Sequence, residues 1–149
     1  MEIIRAVRAS WPQHLPIFVR ISATDWVSAS VGESWDLPQS VAFGKLLKQE
    51  GVDLIDVSSG GNSPDQQIPL EPGYQVPFAT RIREASGLPV AAVGLITEPQ
   101  QAEKIVGDGE ADAVFLAREL LRDPHWAQRA AEALGADAYW PDQYLRARP

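Results

Sequence analysis

Val52-Asp53-Leu54-Ile55-Asp56-Val57, running into Ser58-Ser59-Gly60-Gly61-Asn62-Ser63-Pro64, is an apolar, β-rich run that breaks into a small and polar loop. The run reads as a buried strand. The loop reads as a place where backbone and ligand can approach closely, because glycine and serine leave little bulk in the way. Upstream, Ile17-Phe18-Val19-Arg20-Ile21 is a second such run with one charge embedded in it. Downstream, Val90-Ala91-Ala92-Val93 ends at Gly94, and Ala113-Val114-Phe115-Leu116 leads straight into Ala117-Arg118. Continuous apolar runs of this length suit strands buried on both faces of a parallel sheet.

Helical periodicity fills the spaces between these runs. Ile3, Ile4 and Val7 fall on one face of a helix over 1–9, which Trp11-Pro12 and Pro16 break. Val41, Leu46 and Leu47 mark a helix over 40–49 with a glycine stop at Gly51, and residues 78–85 mark another, closed by Gly87-Leu88-Pro89. Residues 98–106 are helical before a turn at 107–110, and Arg118 to Arg122 and 124–134 follow the last strand. Four strands alternating with helices predict an α/β chain whose parallel sheet is joined by right-handed crossovers. A doubly wound sheet and part of a (β/α)8 barrel both fit that alternation. No domain boundary interrupts residues 1–149, and 136–149 reads as an extended C-terminal tail.

Composition narrows the function. At 149 residues, with 45% hydrophobic residues and five tryptophans, the chain has the material for a core. A net charge of −7 argues against nucleic acid or an anionic membrane as partner, since both are held by clustered Lys and Arg. There is no cysteine, which removes disulfides, thiolate metal sites and thiol nucleophiles. No apolar run approaches the ~20 residues that span a bilayer, and no secretory leader precedes the first helix, so the sequence reads as cytoplasmic. His14 and His125 stand alone, without metal-ligand spacing, and read as surface or capping residues. Asp53 and Asp56 flank one strand and give no paired-acid cleft of the glycosidase kind. Neither a GxGxxG fingerprint nor a GxxxxGK[ST] loop is present.

Three places remain where chemistry would collect. Arg20 lies inside a strand, where a guanidinium needs an anion or several acceptors, and Asp25 or Asp56 could supply an internal ion pair. Gly94 ends the third strand, and Ala117-Arg118 ends the fourth, where α/β proteins gather ligands; together they suggest a phosphate. Tyr74, after Pro72-Gly73, reads as a packing residue.

Taken together, Phe18-Val19-Arg20-Ile21-Ser22, Glu50-Gly51-Val52-Asp53-Leu54-Ile55-Asp56-Val57-Ser58-Ser59-Gly60, Pro72-Gly73-Tyr74-Gln75-Val76-Pro77-Phe78-Ala79, Ala92-Val93-Gly94-Leu95-Ile96-Thr97 and Ala117-Arg118-Glu119-Leu120-Leu121-Arg122-Asp123-Pro124 resemble the Old Yellow Enzyme family in order and spacing. The branch is that of the short bacterial, thermophilic-like ene-reductases. The resemblance covers nearly the whole chain. It implies the C-terminal half, four βα units, of a (β/α)8 TIM barrel, and an FMN at the barrel mouth reduced by NADPH (or NADH).

The same resemblance implies that Arg20 meets the N1/O2 edge of the flavin, while Val93, Gly94, Ala117 and Arg118 hold its phosphate. The family usually has glycine where Ala117 stands. Arg146, within Gln143-Tyr144-Leu145-Arg146, matches a tail arginine that enters a neighbouring subunit's site, with Arg148 as the alternative. The substrate implied is a small-molecule alkene with an activated C=C bond. The family's first four βα units, with the histidines and tyrosine that bind and protonate substrate, have no counterpart in this sequence. The expectation is therefore a part of the enzyme that is inactive alone and works as a homo-oligomer or with a complementing N-terminal half. The alternative is a non-catalytic half-barrel that binds phosphate or serves assembly.

Overall fold

The computed structural model describes residues 1–148. Its single sheet is made of β1 (Phe18–Ser22), β2 (Leu54–Ser58), β3 (Val90–Ala92) and β4 (Ala113–Val114), all parallel and in the order β1-β2-β3-β4. Helix α1 (Glu2–Ser10) precedes β1. Helices α2 (Leu37–Gln49), α3 (Val76–Ser86) and α4 (Pro99–Gly107) make the three crossovers, and α5 (Arg118–Arg122) and α6 (Trp126–Ala133) follow β4. Strand order that simply follows chain order belongs to a barrel wall. A doubly wound sheet reverses direction at a switch point, and no reversal occurs here. The fold is half of a (β/α)8 barrel, as the sequence resemblance implies.

Two helices start earlier than apolar periodicity predicts. Asp36 accepts a hydrogen bond from the Gln39 amide at 3.1 Å, and the Gln39 side chain accepts one from the Asp36 amide at 2.9 Å, so a capping box sets the start of α2 at Leu37. Pro38 and Pro77 sit in the first turns of α2 and α3. There a missing N–H leaves no bond unmade. β4 is shorter than its apolar run, although Phe115 continues the ladder by donating to Ala92 O at 2.8 Å. The tail is not extended throughout: a 3-10 helix forms over Asp142–Ala147.

The core lies between the sheet and α2, α3 and α4. Ile55, Val57 and Val90 are fully buried against Leu47, Ala79 and Ile82. A Cβ on Gly44 would stand 3.3 Å from Ile82 Cγ2, which shows how closely α2 and α3 approach. The other face of the sheet carries a different row. The register aligns Arg20 with Asp56, Asp56 with Ala91, and Ala91 with Ala113. Phe18, two residues from Arg20 and so on the same side of β1, is 56% exposed.

Carboxylates secure the N-terminal ends of the strands. Asp53, before β2, accepts the Ile17 amide at 2.8 Å while its own amide donates to Ile17 O at 3.0 Å. Asp112, before β4, does the same for Val90 at 2.9 Å, and a two-pronged contact from Arg83 holds its carboxyl below the usual carboxylate range. Among the described residues, no helix is long and apolar enough to cross a membrane.

Leu47 is completely buried, whereas Ile3 is 80% exposed. Leu47→Ala is expected to lower unfolding stability by about 2–5 kcal/mol, and Ile3→Ala by no more than about 0.5 kcal/mol. Urea melts of the two variants beside the native chain check the contrast.

Candidate functional site

Because all four strands run the same way, their C-terminal ends open on one side, and the loops that leave them extend the sheet before they diverge. Ala23 donates to Ser58 O at 2.7 Å and Gly60 to Thr24 O at 2.8 Å, which zips the loops after β1 and β2 together. Around these ends lies a cleft of about 580 Å³. Arg20, Val93, Gly94, Ala117 and Arg118, the cofactor residues expected from the sequence, all line it, and so does Tyr74. Arg146 does not. It sits on the 3-10 helix of the tail, exposed, and lines no part of its own chain's cleft.

Arg20 is not the buried arginine that its strand position suggests; its side chain is 62% exposed. β1 is an edge strand, and Arg20 projects from the sheet face that lacks helices. The buried member of the pair is Asp56, whose Oδ2 lies 3.4 Å from Arg20 Nη1. Of the two carboxylates open as partners, Asp25 is engaged elsewhere, accepting from the Trp35 amide at 3.0 Å and from Asn62 Nδ2 at 2.9 Å. Ser58 adds a second anchor, with Arg20 Nε donating to its Oγ at 3.2 Å. The other Asp56 oxygen, Oδ1, is buried without a partner. Burial pushes the Asp56 carboxyl up, and the Arg20 charge opposes that shift.

Gly94 is required by both conformation and space. Its φ is +117°, and a Cβ there would stand 2.6 Å from Gln75 Nε2 and 3.0 Å from the Tyr74 ring. Leu95 continues with φ 51°, a left-handed conformation that costs a non-glycine residue about 1–2 kcal/mol. The amides of Gly94, Leu95 and Ile96 donate to no acceptor within the described chain. Consecutive free amides of this kind make a concavity that suits an anion. Across the sheet, Ala117 precedes α5 with no capping side chain to compete for its amides. Glu119 and Asp123 are taken by Arg122 and Arg129, which leaves the exposed Arg118 unpaired among the described residues.

Ser59 and Gln75 of the cleft wall, and Trp26 bonded to them, were not singled out as site residues by the sequence. Trp26 Nε1 donates to Ser59 Oγ at 2.8 Å, Ser59 Oγ donates to Gln75 Oε1 at 2.7 Å, and Gln75 Nε2 donates to Val93 O at 2.9 Å. Trp26 also meets Phe78 edge-on at 5.2 Å and Tyr74 at 6.4 Å. A buried amide at the start of a helix was the available signal, but one glutamine has no spacing to read. His14 and His125 are exposed. His125 stands at the N-cap of α6 with Nδ1 3.2 Å from Gln128 Oε1, and no metal-binding cluster exists among the described residues. A larger cleft, about 790 Å³, lies between α6 and the tail, where Trp140, Tyr144 and Arg148 line it. It shares no residue with the strand-end cleft, and Arg148 is bound to Asp137 at 2.7 Å.

Comparison with known proteins agrees with the fold. The family described as "NADH:flavin oxidoreductase / NADH oxidase family" matches residues 1–137. An NADPH dehydrogenase of Geobacillus thermodenitrificans (strain NG80-2) is 48% identical over 145 residues, covering 97% of this chain and 41% of that protein. The NADPH dehydrogenase of Geobacillus sp. (strain WCH70) is 50% identical over the same shares, and that of Listeria innocua serovar 6a is 45% identical over 98% of this chain and 41% of its own length. The chain thus spans well under half the length of these relatives. Among solved structures, a mandelate racemase/muconate lactonizing family protein from Azoarcus sp. EbN1 aligns with TM-score 0.55 at 17% identity, over 90% of this chain and 31% of that one. A chimera of (S)-mandelate dehydrogenase aligns with TM-score 0.53 at 16% identity, over 90% and 30%. At such identities the likeness concerns the fold.

The position of Asp56 gives a pH-dependent expectation. Since its folded-state pKa is raised, the folded chain binds this proton more tightly than the unfolded chain, and the resulting stability is present in acid and lost as pH rises through the raised value. Asp56→Asn keeps the shape without the ionisation. It is expected to melt above the native chain at pH 7, with the difference vanishing below about pH 4. Thermal melts at the two pH values decide it; a variant that melts lower at pH 7 would mean that the Arg20 pair outweighs the desolvation.

Proposed function

The chain belongs to the NADH:flavin oxidoreductase / NADH oxidase family, and on that premise we propose that it forms part of an FMN-dependent NAD(P)H oxidoreductase that reduces activated C=C bonds. One observation carries the reading: Arg20, Val93, Gly94, Ala117 and Arg118, far apart in sequence, line a single cleft at the strand ends. Its volume lies within the roughly 300–1,000 Å³ typical of cofactor and ligand sites. The unpaired amides after Val93 and the unpaired guanidinium of Arg118 fit a phosphate dianion. When bound, FMN would supply the redox chemistry, taking hydride from NADPH (or NADH) and passing it to the alkene.

The rest falls to side chains and backbone of this chain. Arg20, held by Asp56 and Ser58, presents a fixed cation for the N1/O2 edge of the isoalloxazine, where it favours the reduced, anionic form. Beside Val93 in the cleft wall, Gly94 and Ala117 offer backbone amides, and Arg118 its charge, to the phosphate. The extra methyl of Ala117 leaves its N–H in place. Arg146, exposed on the tail, is available to a neighbouring subunit's site. Dependence on NAD(P)H supports a cytoplasmic setting.

Hydride transfer also needs the alkene held in register, and the residues lining the cleft serve anion binding. The chain is therefore inactive alone in this reading. It acts as a homo-oligomer or beside a complementing N-terminal half, which the free edges of β1 and β4 and the exposed Phe18 would receive. The unpaired amides after Val93 and the unpaired Arg118 also fit one second reading, a non-catalytic half-barrel for phosphate binding or assembly.

The purified chain is expected to retain FMN through gel filtration with a shifted visible band, and Arg118→Ala to weaken binding by about tenfold or more, the usual effect of losing a charge-assisted contact. Loss of all flavin on the column would reject FMN binding by this chain. Retained flavin without NADPH oxidation in the presence of an enone, persisting after a complementing N-terminal half is supplied, would favour the second reading.

A further inference from the structure

Gln75 is only 3% exposed and stands at the N-cap of α3 rather than on a strand, yet both ends of its amide are engaged. The direction of every bond in its network is fixed by chemistry. An indole N–H can only donate, so Ser59 Oγ accepts from Trp26, and the Ser59 proton goes to Gln75 Oε1. That leaves the Gln75 NH2 group for the carbonyl of Val93. One continuous line therefore joins the loops after β1, β2 and β3.

The line has a consequence for the backbone it ends on. In a trans peptide the C=O and the N–H point in opposite directions across the same plane. Val93 O is drawn toward Gln75, so the Gly94 N–H points away from it. Gly94 O accepts from the Gly73 amide at 2.9 Å, so the Leu95 N–H is turned from Gly73 in the same way. These are two of the amides without an acceptor in the described chain. Trp26, at the start of the line, and Leu95, two residues past its end at Val93, both hold left-handed φ values without being glycine, 57° and 51°. Such conformations persist where the surroundings hold them.

We propose that Gln75 is the positioning residue of the anion site: it aims the Gly94 and Leu95 amides by holding the Val93 carbonyl, and through Ser59 it makes that aim depend on Trp26. The inference rests on the reading that this cleft takes the FMN phosphate. Trp26 does not line the cleft, so the coupling runs through hydrogen bonds rather than through contact with ligand.

The test uses the full chain with Ser59→Ala, which frees the Gln75 amide to turn and removes little buried volume, and Arg5→Ala, which breaks the Arg5–Glu50 pair between α1 and the end of α2 and shares no hydrogen bond with this network, as the control. In the ligand-free chain, two-dimensional 1H–15N spectra of Ser59→Ala are expected to show displaced Gly94 and Leu95 amides as well as a displaced Trp26 indole N–H, while Arg5→Ala leaves all three in place. Titration with inorganic phosphate, and separately with FMN, is expected to give about tenfold weaker binding for Ser59→Ala than for the native chain or the control. Gln75→Leu should reproduce both effects, and Gln75→Glu should fail to restore them, because a carboxylate cannot donate to Val93 O. Unmoved Gly94 and Leu95 amides in Ser59→Ala overturn the proposal whatever binds. Displaced amides in Ser59→Ala, together with a native chain that binds neither probe, would leave the positioning intact and overturn the flavin reading instead.

Discussion

Four strands that run in one direction must all finish at one edge of the sheet, and every polar group exposed there has to find a partner or a ligand. The molecule meets this constraint differently at its two ends. At the N-terminal ends, Asp53 and Asp112 close the ladders by taking the amides of Ile17 and Val90, so the polar groups are consumed by the fold itself. At the C-terminal ends, side chains draw the carbonyls backward, and the amides of Gly94, Leu95 and Ile96 are left unspent. The first arrangement serves stability and the second leaves capacity for binding. That is the division of labour expected between the two faces of a (β/α)8 barrel.

Electrostatics follow the same division. The chain carries a net charge of −7, which at long range repels a phosphate, yet Arg20 and Arg118 stand at opposite edges of the sheet around the cleft. Attraction is therefore local and short, within a distance of about 8–10 Å at ordinary ionic strength. Asp56 complicates it. A carboxylate buried beside Arg20 steadies the guanidinium but subtracts from its charge, and the buried Oδ1 without a partner raises the pKa that decides when the subtraction ends.

The four strands were legible because each is an apolar run that ends in small or polar residues, and the structure keeps all four. Their C-terminal ends were legible too, so the residues named from the resemblance, from Arg20 to Arg118, meet in one cleft. Helix starts were less so: the beginning of α2 is set by Asp36 and Gln39 exchanging side-chain bonds, which apolar periodicity does not register. The exposure of Arg20 was hidden because a strand sequence does not say which face of the sheet carries helices. The line from Trp26 through Ser59 to Gln75 was hidden for another reason. Its members lie far apart, Trp26 on the loop after β1 and Ser59 and Gln75 at opposite ends of the loop after β2, and only the folded chain gives them a common spacing.

Strand order that follows chain order also bears on how the molecule comes to be folded. Each pairing joins a strand to its immediate successor, so no loop closure is longer than one βα unit, and the entropy lost at each step stays small. The steps are unequal in reward. β1 and β2 pair along five residues each, whereas β4 contributes two. The last unit is then the one held most loosely by its own ladder, and it is the unit that carries Ala117 and Arg118. A bound anion that bridges Gly94 and Arg118 would add its binding free energy where the chain's own cohesion is thinnest, so the ligand would act as the final fastening of the sheet.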